Sequence, residues 1–291
     1  MRQSQTSGKL IVRDDEPVFI LGSGRCGSTL LQSIVNSNPE FLIWGEHNGF
    51  LRQLADSYYK TNDADMKRNL RSQESVELSI TRLRNPENWN AWENRWSSAR
   101  LSEQFGRFVK SLFDAGNYSE LRWGFKEIRY GISAEDKTPY FLLECFPKAR
   151  FLIIIRNPMQ TILSKLLSWY RGFGRNPYVV DIEIRKLAKI WTEQYANLFL
   201  FHHYCKGLSR IVRYEDLIVP SNLPDLWSFI GSPEPSSCRE VLKKVTGACC
   251  KDGEFASFIG SRLDFAKEEI HQITLPVCAL YGYLASGESN H

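Results

Sequence analysis

The sequence has little excess charge of either sign and lacks a long apolar run. Basic residues number 37 against 33 acidic ones, a formal net charge of +4 over 291 residues. No run of basic residues forms a stripe of the kind that binds nucleic acid. No apolar run approaches the length of a membrane span or of a signal-peptide core. We therefore expect no nucleic-acid partner, no membrane partner and a cytoplasmic location.

The sequence also lacks a cysteine pattern that would indicate a disulfide framework or a metal site. Its seven cysteines are scattered, odd in number and without a Cys-x-x-Cys pair, as is typical of reduced thiols in the cytoplasm. Cys249 and Cys250 are adjacent. Two unrelated thiols are the simpler interpretation of this pair, and a strained disulfide or redox switch is the alternative. No ligand cluster indicates zinc, so we expect no metal.

A glycine-rich segment at residues 22–29, Gly-Ser-Gly-Arg-Cys-Gly-Ser-Thr, is the most informative part of the chain. It follows a short apolar strand and precedes apolar residues at helical spacing, which is the context of a phosphate-binding loop. Its glycines allow close approach to a ligand, and the helix N-terminus attracts an anion. Ser28 stands where a nucleotide triphosphatase needs lysine, and Arg25 adds a permanent positive charge. The loop is therefore expected to bind a phosphate-like group without ATP chemistry.

A second anion site is predicted at the end of a buried strand, 150–155, which is continuous, apolar and β-branched. In a metal-dependent P-loop enzyme such a strand would end in an aspartate that helps to hold Mg²⁺. Here Arg156 follows the strand, and Ser164 lies about two turns along the next helix. A cation at this position is expected to bind a negative charge directly.

These two motifs, in this order, resemble those of the sulfotransferases that use 3′-phosphoadenosine 5′-phosphosulfate (PAPS). The likeness continues through 212–217 and 226–231 to 263–283, and it is closer to bacterial and protein-tyrosine-type members than to cytosolic steroid and phenol members. The resemblance implies that the first loop holds the 5′-phosphosulfate and that Arg156 and Ser164 hold the 3′-phosphate. The residues of that first loop are Gly22, Ser23, Gly24, Arg25, Cys26, Gly27, Ser28 and Thr29.

The alternation of strands and helices predicts an α/β fold, with a central parallel sheet flanked by helices. The family resemblance makes this a P-loop NTPase-like sulfotransferase fold. We predict a single domain over 1–291, with a divergent helical insertion at about 50–120. An aromatic stripe in that insertion either packs on the sheet or walls the acceptor pocket. The strands are predicted near 17–22, 41–44, 121–127, 150–155 and 209–213, and the stripe at Trp89, Trp92, Trp96, Phe105, Phe108 and Leu112.

Candidate catalytic residues follow from what sulfuryl transfer needs, namely fixed cations and a base. Arg25 is one cation, and Lys126, at the end of a predicted strand, is the second. Ile128 occupies the place of the histidine that cytosolic members use, so that mechanism does not transfer. Glu46, which resembles the glutamate of protein-tyrosine and some bacterial members, is the predicted base, with His47 as substitute. A surface glutamate at a strand end is the simpler alternative.

Leu30 stands where some relatives stack a tryptophan on the adenine, so this chain has to hold the base in another way. Tyr214 and Arg262 are candidates for further cofactor contacts, and the loop at 172–177 is either a lid or an ordinary connection. The predicted activity is transfer of a sulfuryl group from PAPS to a hydroxyl or amine of a small-molecule acceptor, by a monomer or homodimer. A P-loop kinase that uses ATP and a non-catalytic PAPS-binding module are the alternatives.

Overall fold

A computed structural model gives the arrangement of the chain for residues 16–62, 75–89, 98–113, 116, 120–169, 177–245 and 263–283. Five parallel strands form one sheet in the order β2-β3-β1-β4-β5. The strands are β1 Val18–Gly22, β2 Phe41–Trp44, β3 Arg122–Glu127, β4 Arg150–Ile155 and β5 Ser209–Arg213. Each lies within one residue of its predicted bounds, so the predicted α/β fold with a central parallel sheet is confirmed.

Helices connect the strands and cover both faces of the sheet. Pro86–Asn88 and Pro220–Asn222 are short 3₁₀ turns. The α-helices are α1 Ser28–Asn36, α2 Leu51–Thr61, α3 Val76–Arg84, α4 Ser98–Leu112, α5 Thr138–Cys145, α6 Pro158–Trp169, α7 Pro177–Tyr204, α8 Tyr214–Leu217, α9 Leu223–Ile230, α10 Ser237–Val245 and α11 Leu263–Leu280.

The central strand β1 is buried on both faces, as its apolar sequence predicts. Phe19 and Leu21 point into one core cluster, which includes side chains of α2, α5, α7 and α11. Val18 and Ile20 point into the other, which includes side chains of α1, α9 and α10. On the neighbouring strand β3, Gly124 lies opposite Val18, and a Cβ there would collide with the Val18 carbonyl oxygen. The sheet therefore needs glycine at this position.

The prediction of one aromatic stripe from Trp89 to Leu112 is wrong. Trp89 lies outside α4, after a 3₁₀ turn, and is 88% exposed. On α4 the buried residues include Val109, whereas Phe108 and Leu112 are exposed. Phe105, one turn before Val109, packs against the rings of Tyr58 and Phe141. The face of α4 that packs on the core thus carries residues 101, 105 and 109, and Phe108 lies on another face. Trp92 and Trp96 lie outside the described residues.

The order of the strands places a crevice at the carboxyl end of the sheet. Strands β3 and β2 lie on one side of β1, and β4 and β5 lie on its other side, so the strand order reverses at β1. In open α/β sheets, ligands bind at such a switch point, outside the carboxyl ends of the strands. Of the predicted site residues, Gly22 ends β1, Lys126 is the last residue but one of β3, and Arg156 follows β4.

Candidate active site

The glycine-rich loop connects β1 directly to α1. Arg25 adopts a left-handed backbone with φ of 68°, and Gly27, the residue before α1, has φ of 94°. Residues 28 and 29 form the first turn of the helix, so its free N–H groups face the loop. Ser23 is buried, and its own N–H is bonded to the Tyr195 hydroxyl at 3.1 Å. The loop thus turns tightly between β1 and α1 and lies at the N-terminus of that helix.

Arg25 joins the first predicted motif to the second. Its Nε donates to Ser164 Oγ at 3.0 Å, and its carbonyl oxygen lies 3.5 Å from Nη1 of Arg156. Ser164 is buried on α6, two turns after Arg156. Arg25 is therefore linked to both residues of the second motif, each more than 130 positions away in the chain.

Arg156 is also held by Tyr214, whose ring lies under its guanidinium at 4.4 Å. A cation over an aromatic face is a favourable arrangement. Tyr214 begins the short helix α8 immediately after β5. Tyr214 lines the cleft beside Arg156. Arg262, the other candidate for extra cofactor contacts, lies outside the described residues. So do Cys249, Cys250 and residues 172–176 of the loop that was either a lid or an ordinary connection.

The glycine-rich loop, Arg156 and Tyr214 border a cleft of about 500 Å³. The cleft brings together the glycine-rich loop, the residues after β2, β3 and β4, and the start of α8. Its lining residues are Gly24, Arg25, Gly27, Ser28, Thr29, Leu30, Glu46, Ile128, Arg129, Arg156 and Tyr214.

Glu46 and Lys126 meet at one side of this cleft. Lys126 Nζ donates to Glu46 Oε1 at 2.6 Å and lies 3.4 Å from the hydroxyl of Thr29. Arg129 donates to the second oxygen of Glu46 at 3.0 Å. Burial alone would raise the pKa of Glu46, but the hydrogen bonds and positive charges of Lys126 and Arg129 outweigh it and lower that pKa. Glu46 is thus an ionised carboxylate held between two cations.

His47 lies away from the cleft, although it follows Glu46 directly. Its side chain, about 10% exposed, is surrounded by the rings of Phe50, Phe113, Phe125 and Tyr130. Burial lowers its pKa, against the opposing charge of Glu127. The structure thus places the substitute base behind the cleft wall, where aromatic packing explains its position.

Cys26 is fully buried beneath the loop, and burial raises the pKa of its thiol. Cys26 therefore fills space within the loop and is not placed to act as a reactive thiol. Across the described part of the chain, no group of three or more His, Cys, Asp or Glu side chains is placed to hold a metal ion.

Three polar residues that support the cleft were not predicted from the sequence. Gln194 Nε2 lies 2.9–3.0 Å from the carbonyl oxygens of Gly22, Ile128 and Tyr130, and so ties β1 to the segment after β3. Tyr195 bonds Ser23 N and the carbonyl of Ile154. Arg129 pairs with Glu46. The first two lie within the long helix α7, and a helix sequence carries no signal of a partner 172 positions away.

The chain matches the model of the sulfotransferase family over residues 17–221. Among solved structures, it is similar to the sulfotransferase domain of the Synechococcus PCC 7002 olefin synthase, with 18% identity and a TM-score of 0.51 over 93% of this chain and 96% of that one. It is also similar to sulfotransferase STF9 from Mycobacterium avium, with 12% identity and a TM-score of 0.49 over 94% of this chain and 79% of that one. A comparison with curated proteins returned no match. Within the described ranges, no helix is both long and apolar enough to cross a membrane. The family match extends over most of the chain and includes the loop, Glu46, Lys126 and Arg156, and on that basis the protein belongs to the sulfotransferase family.

Proposed function

We propose that this protein transfers a sulfuryl group from PAPS to a hydroxyl or amine of a small-molecule acceptor, such as a natural product or glycan, without a metal. One observation carries the proposal. Arg25 and Arg156, two cations suited to two separate anionic groups, share a cleft with a carboxylate that is paired to a lysine. A donor with both a phosphosulfate and a 3′-phosphate needs two such anion sites.

The chain fits this donor through its charges and its backbone. Arg25 and the N-terminus of α1 bind the 5′-phosphosulfate, and Arg156 with Ser164 binds the 3′-phosphate. Because Gly27 has no Cβ, the loop packs directly against the ring of Tyr214, which also lies beneath Arg156. PAPS supplies an activated sulfuryl group, and the protein has to place an acceptor in line with it.

Each remaining residue has a role set by its charge. Glu46 accepts the proton of the attacking hydroxyl or amine as the new bond to sulfur forms. Lys126 and Arg25 stabilise the negative charge that develops on the oxygen bridging sulfur to the departing phosphate. Because Lys126 contacts both Glu46 and Thr29, it stands between the base and the loop. Arg129 keeps Glu46 ionised and oriented.

The state of the cysteines, the lining of the cleft and the expected oligomeric state complete the proposal. The five described cysteines, Cys26, Cys145, Cys205, Cys238 and Cys278, are free thiols, which supports a cytoplasmic protein. The acceptor is expected to lie beside Glu46, Ile128 and Leu30, where polar and apolar groups meet. We expect the active species to be a monomer or homodimer.

A transfer assay tests the proposal. Purified protein is incubated with PAPS labelled in its sulfuryl group, in the presence of EDTA, against panels of phenols, alcohols, amines and sugars. We expect label on at least one class of acceptor. A parallel reaction holds ATP labelled at its γ-phosphate and Mg²⁺. Label moving only from ATP would make the protein a kinase, and binding of PAPS without transfer to any panel would make it a non-catalytic module.

A further inference from the structure

The roles given to Glu46, Lys126 and Arg129 leave the buried carboxylate of Glu127, beside Lys126, without a function. Glu127 is the last residue of β3 and directly follows Lys126. Its side chain is 0% exposed, so it touches neither the cleft nor solvent. A carboxylate is buried in this way only when its hydrogen bonds offset the loss of water.

One oxygen of Glu127 holds the segment that carries Glu46. Oε2 accepts the backbone N–H of His47 at 3.1 Å and that of Gly49 at 2.8 Å. Both belong to the connection between β2 and α2, which is otherwise irregular. The ends of β2 and β3, adjacent parallel strands, are thereby linked through a side chain.

The other oxygen of Glu127 is connected to Glu46 through the side chain of Arg129. Oε1 accepts the N–H of Ile128 and Nη1 of Arg129, each at 2.9 Å. The same Nη1 donates to Glu46 Oε2 at 3.0 Å. Arg129 therefore bridges the buried carboxylate and the proposed base, and both routes from Glu127 end at Glu46.

The geometry suits a carboxylate and no other side chain of this size. Four N–H donors converge on its two oxygens, and an ionised carboxylate only accepts. Glutamine has one acceptor oxygen and one NH₂ group. Whichever way its amide turned, the NH₂ would face at least one pair of these donors.

We propose that Glu127 is a positioning residue that sets Glu46 against Lys126. This inference rests on the proposed function, in which Glu46 is the base. A base must lie within hydrogen-bond reach of the proton it removes, and a misplacement of 1 Å can cost about 100-fold in rate. Glu127 provides that precision for an irregular segment at the end of an edge strand.

The test compares Glu127→Gln with Asp136→Asn. Asp136 is a matched control, because its buried carboxylate likewise accepts two backbone N–H groups, those of Gly131 and Thr138, between the end of β3 and the start of α5. It also pairs with Arg52 on α2, but it makes no bond to residues 46–49. Three quantities are measured for each variant and the wild type. They are amide hydrogen exchange of peptides covering 45–50 and 22–29, affinity for 3′-phosphoadenosine 5′-phosphate, and turnover with the best acceptor of the panel above.

For Glu127→Gln we expect faster exchange at 45–50, unchanged exchange at 22–29, nucleotide affinity within about twofold of wild type, and turnover lower by about 100-fold. For Asp136→Asn we expect wild-type exchange at 45–50 and turnover within a few-fold of wild type. Wild-type exchange at 45–50 and wild-type turnover in Glu127→Gln would overturn the proposal. So would equal losses of nucleotide affinity and turnover, which indicate general disruption.

A second variant keeps the test decisive if Glu127→Gln does not fold. Glu127→Asp retains the charge but is one methylene shorter, so it cannot reach both sets of donors, and we expect an intermediate effect on exchange and turnover. Exchange depends only on the contacts and not on the reaction. If the wild-type protein transfers nothing but exchange at 45–50 is still faster in the Glu127 variants, the proposed function is refuted and the anchoring stands. If exchange at 45–50 is the same in wild type and variants, the anchoring by Glu127 is refuted.

Discussion

Lys126 and Glu46 form a close ion pair at the carboxyl ends of neighbouring strands, with Nζ and Oε1 2.6 Å apart. The lysine side chain is 7% exposed and that of the glutamate 30%. A partly buried pair at a cleft differs from an exposed surface pair, whose energetic contribution is small. The pairing joins the group proposed to take the acceptor proton with the group proposed to stabilise the leaving oxygen.

Glu46→Gln should lower turnover by roughly 10²- to 10⁴-fold, the range expected for loss of a general base. Donor affinity should change little, because Glu46 is not among the groups assigned to the phosphates. Steady-state kinetics with labelled PAPS measures both quantities. The control is Glu240→Gln, which removes an exposed glutamate paired with Lys243 on α10. Wild-type turnover in Glu46→Gln would remove Glu46 from the mechanism.

Combining Glu46→Gln with Lys126→Met should give a smaller loss than the two single losses multiplied together. Groups that act as a unit show such non-additivity, because the second change removes a partner already disabled. A double-mutant cycle on turnover measures the coupling. The exposed pair of Glu240 and Lys243, at 2.9 Å, provides the matched cycle and should show none. Independent, additive losses at Glu46 and Lys126 would contradict a joint role.

Arg156→Ala should weaken binding of 3′-phosphoadenosine 5′-phosphate by about 10- to 100-fold, since hydrogen bonds to charged groups contribute about 1.5–3 kcal/mol. Affinity for adenosine 5′-phosphosulfate, which lacks the 3′-phosphate, should barely change. Calorimetric titration of both nucleotides measures the difference. Arg150→Ala, at the opposite end of the same strand, is the control. Equal losses for the two nucleotides would show that Arg156 does not read the 3′-phosphate.

Gly27→Ala should disable donor binding as well as lower stability. Gly27 has φ of 94°, and an added Cβ would collide with Cδ2 of Tyr214. Gly207→Ala is a matched control, because Gly207 has φ of 90° but open space around its Cα. Each should lose about 1–3 kcal/mol to backbone strain, measured by thermal unfolding. Only Gly27→Ala should also lose nucleotide affinity, and retained affinity would refute the close packing of loop and ring.

Arg129→Gln should raise the pKa of Glu46. Burial opposes the charged form of Glu46, but the hydrogen bonds and charges of Lys126 and Arg129 outweigh it and hold the pKa below its usual 4.5. The stabilisation from this pairing is therefore present at neutral pH and is lost as pH falls through the lowered pKa. Carboxyl-carbon NMR of labelled glutamate, assigned with Glu46→Gln, follows the titration. Arg107→Gln, which breaks an exposed pair with Glu103 on α4, should leave the Glu46 titration unchanged. An unchanged pKa in Arg129→Gln would show that Arg129 does not hold the base.

The sequence was sufficient to predict the sheet, and with it the ends of strands where Lys126 and Arg156 lie. Continuous apolar runs such as 150–155 identify buried strands, and a parallel sheet brings their carboxyl ends to one edge. Gln194 and Glu127 could not be predicted in the same way. Their importance lies in bonds to backbone atoms of other elements, which depend on three-dimensional packing. The aromatic stripe failed for a related reason, because spacing alone does not decide which helix face meets the core.

The most direct test of the central claim is calorimetric titration of the metal-free protein with 3′-phosphoadenosine 5′-phosphate, in parallel with ADP and with ATP plus Mg²⁺. We expect binding that requires the 3′-phosphate, with a dissociation constant in the micromolar range, around −8 kcal/mol. ADP and ATP should bind much more weakly. Preference for ATP with Mg²⁺ would contradict the assignment of Arg156 to a 3′-phosphate and would favour a kinase.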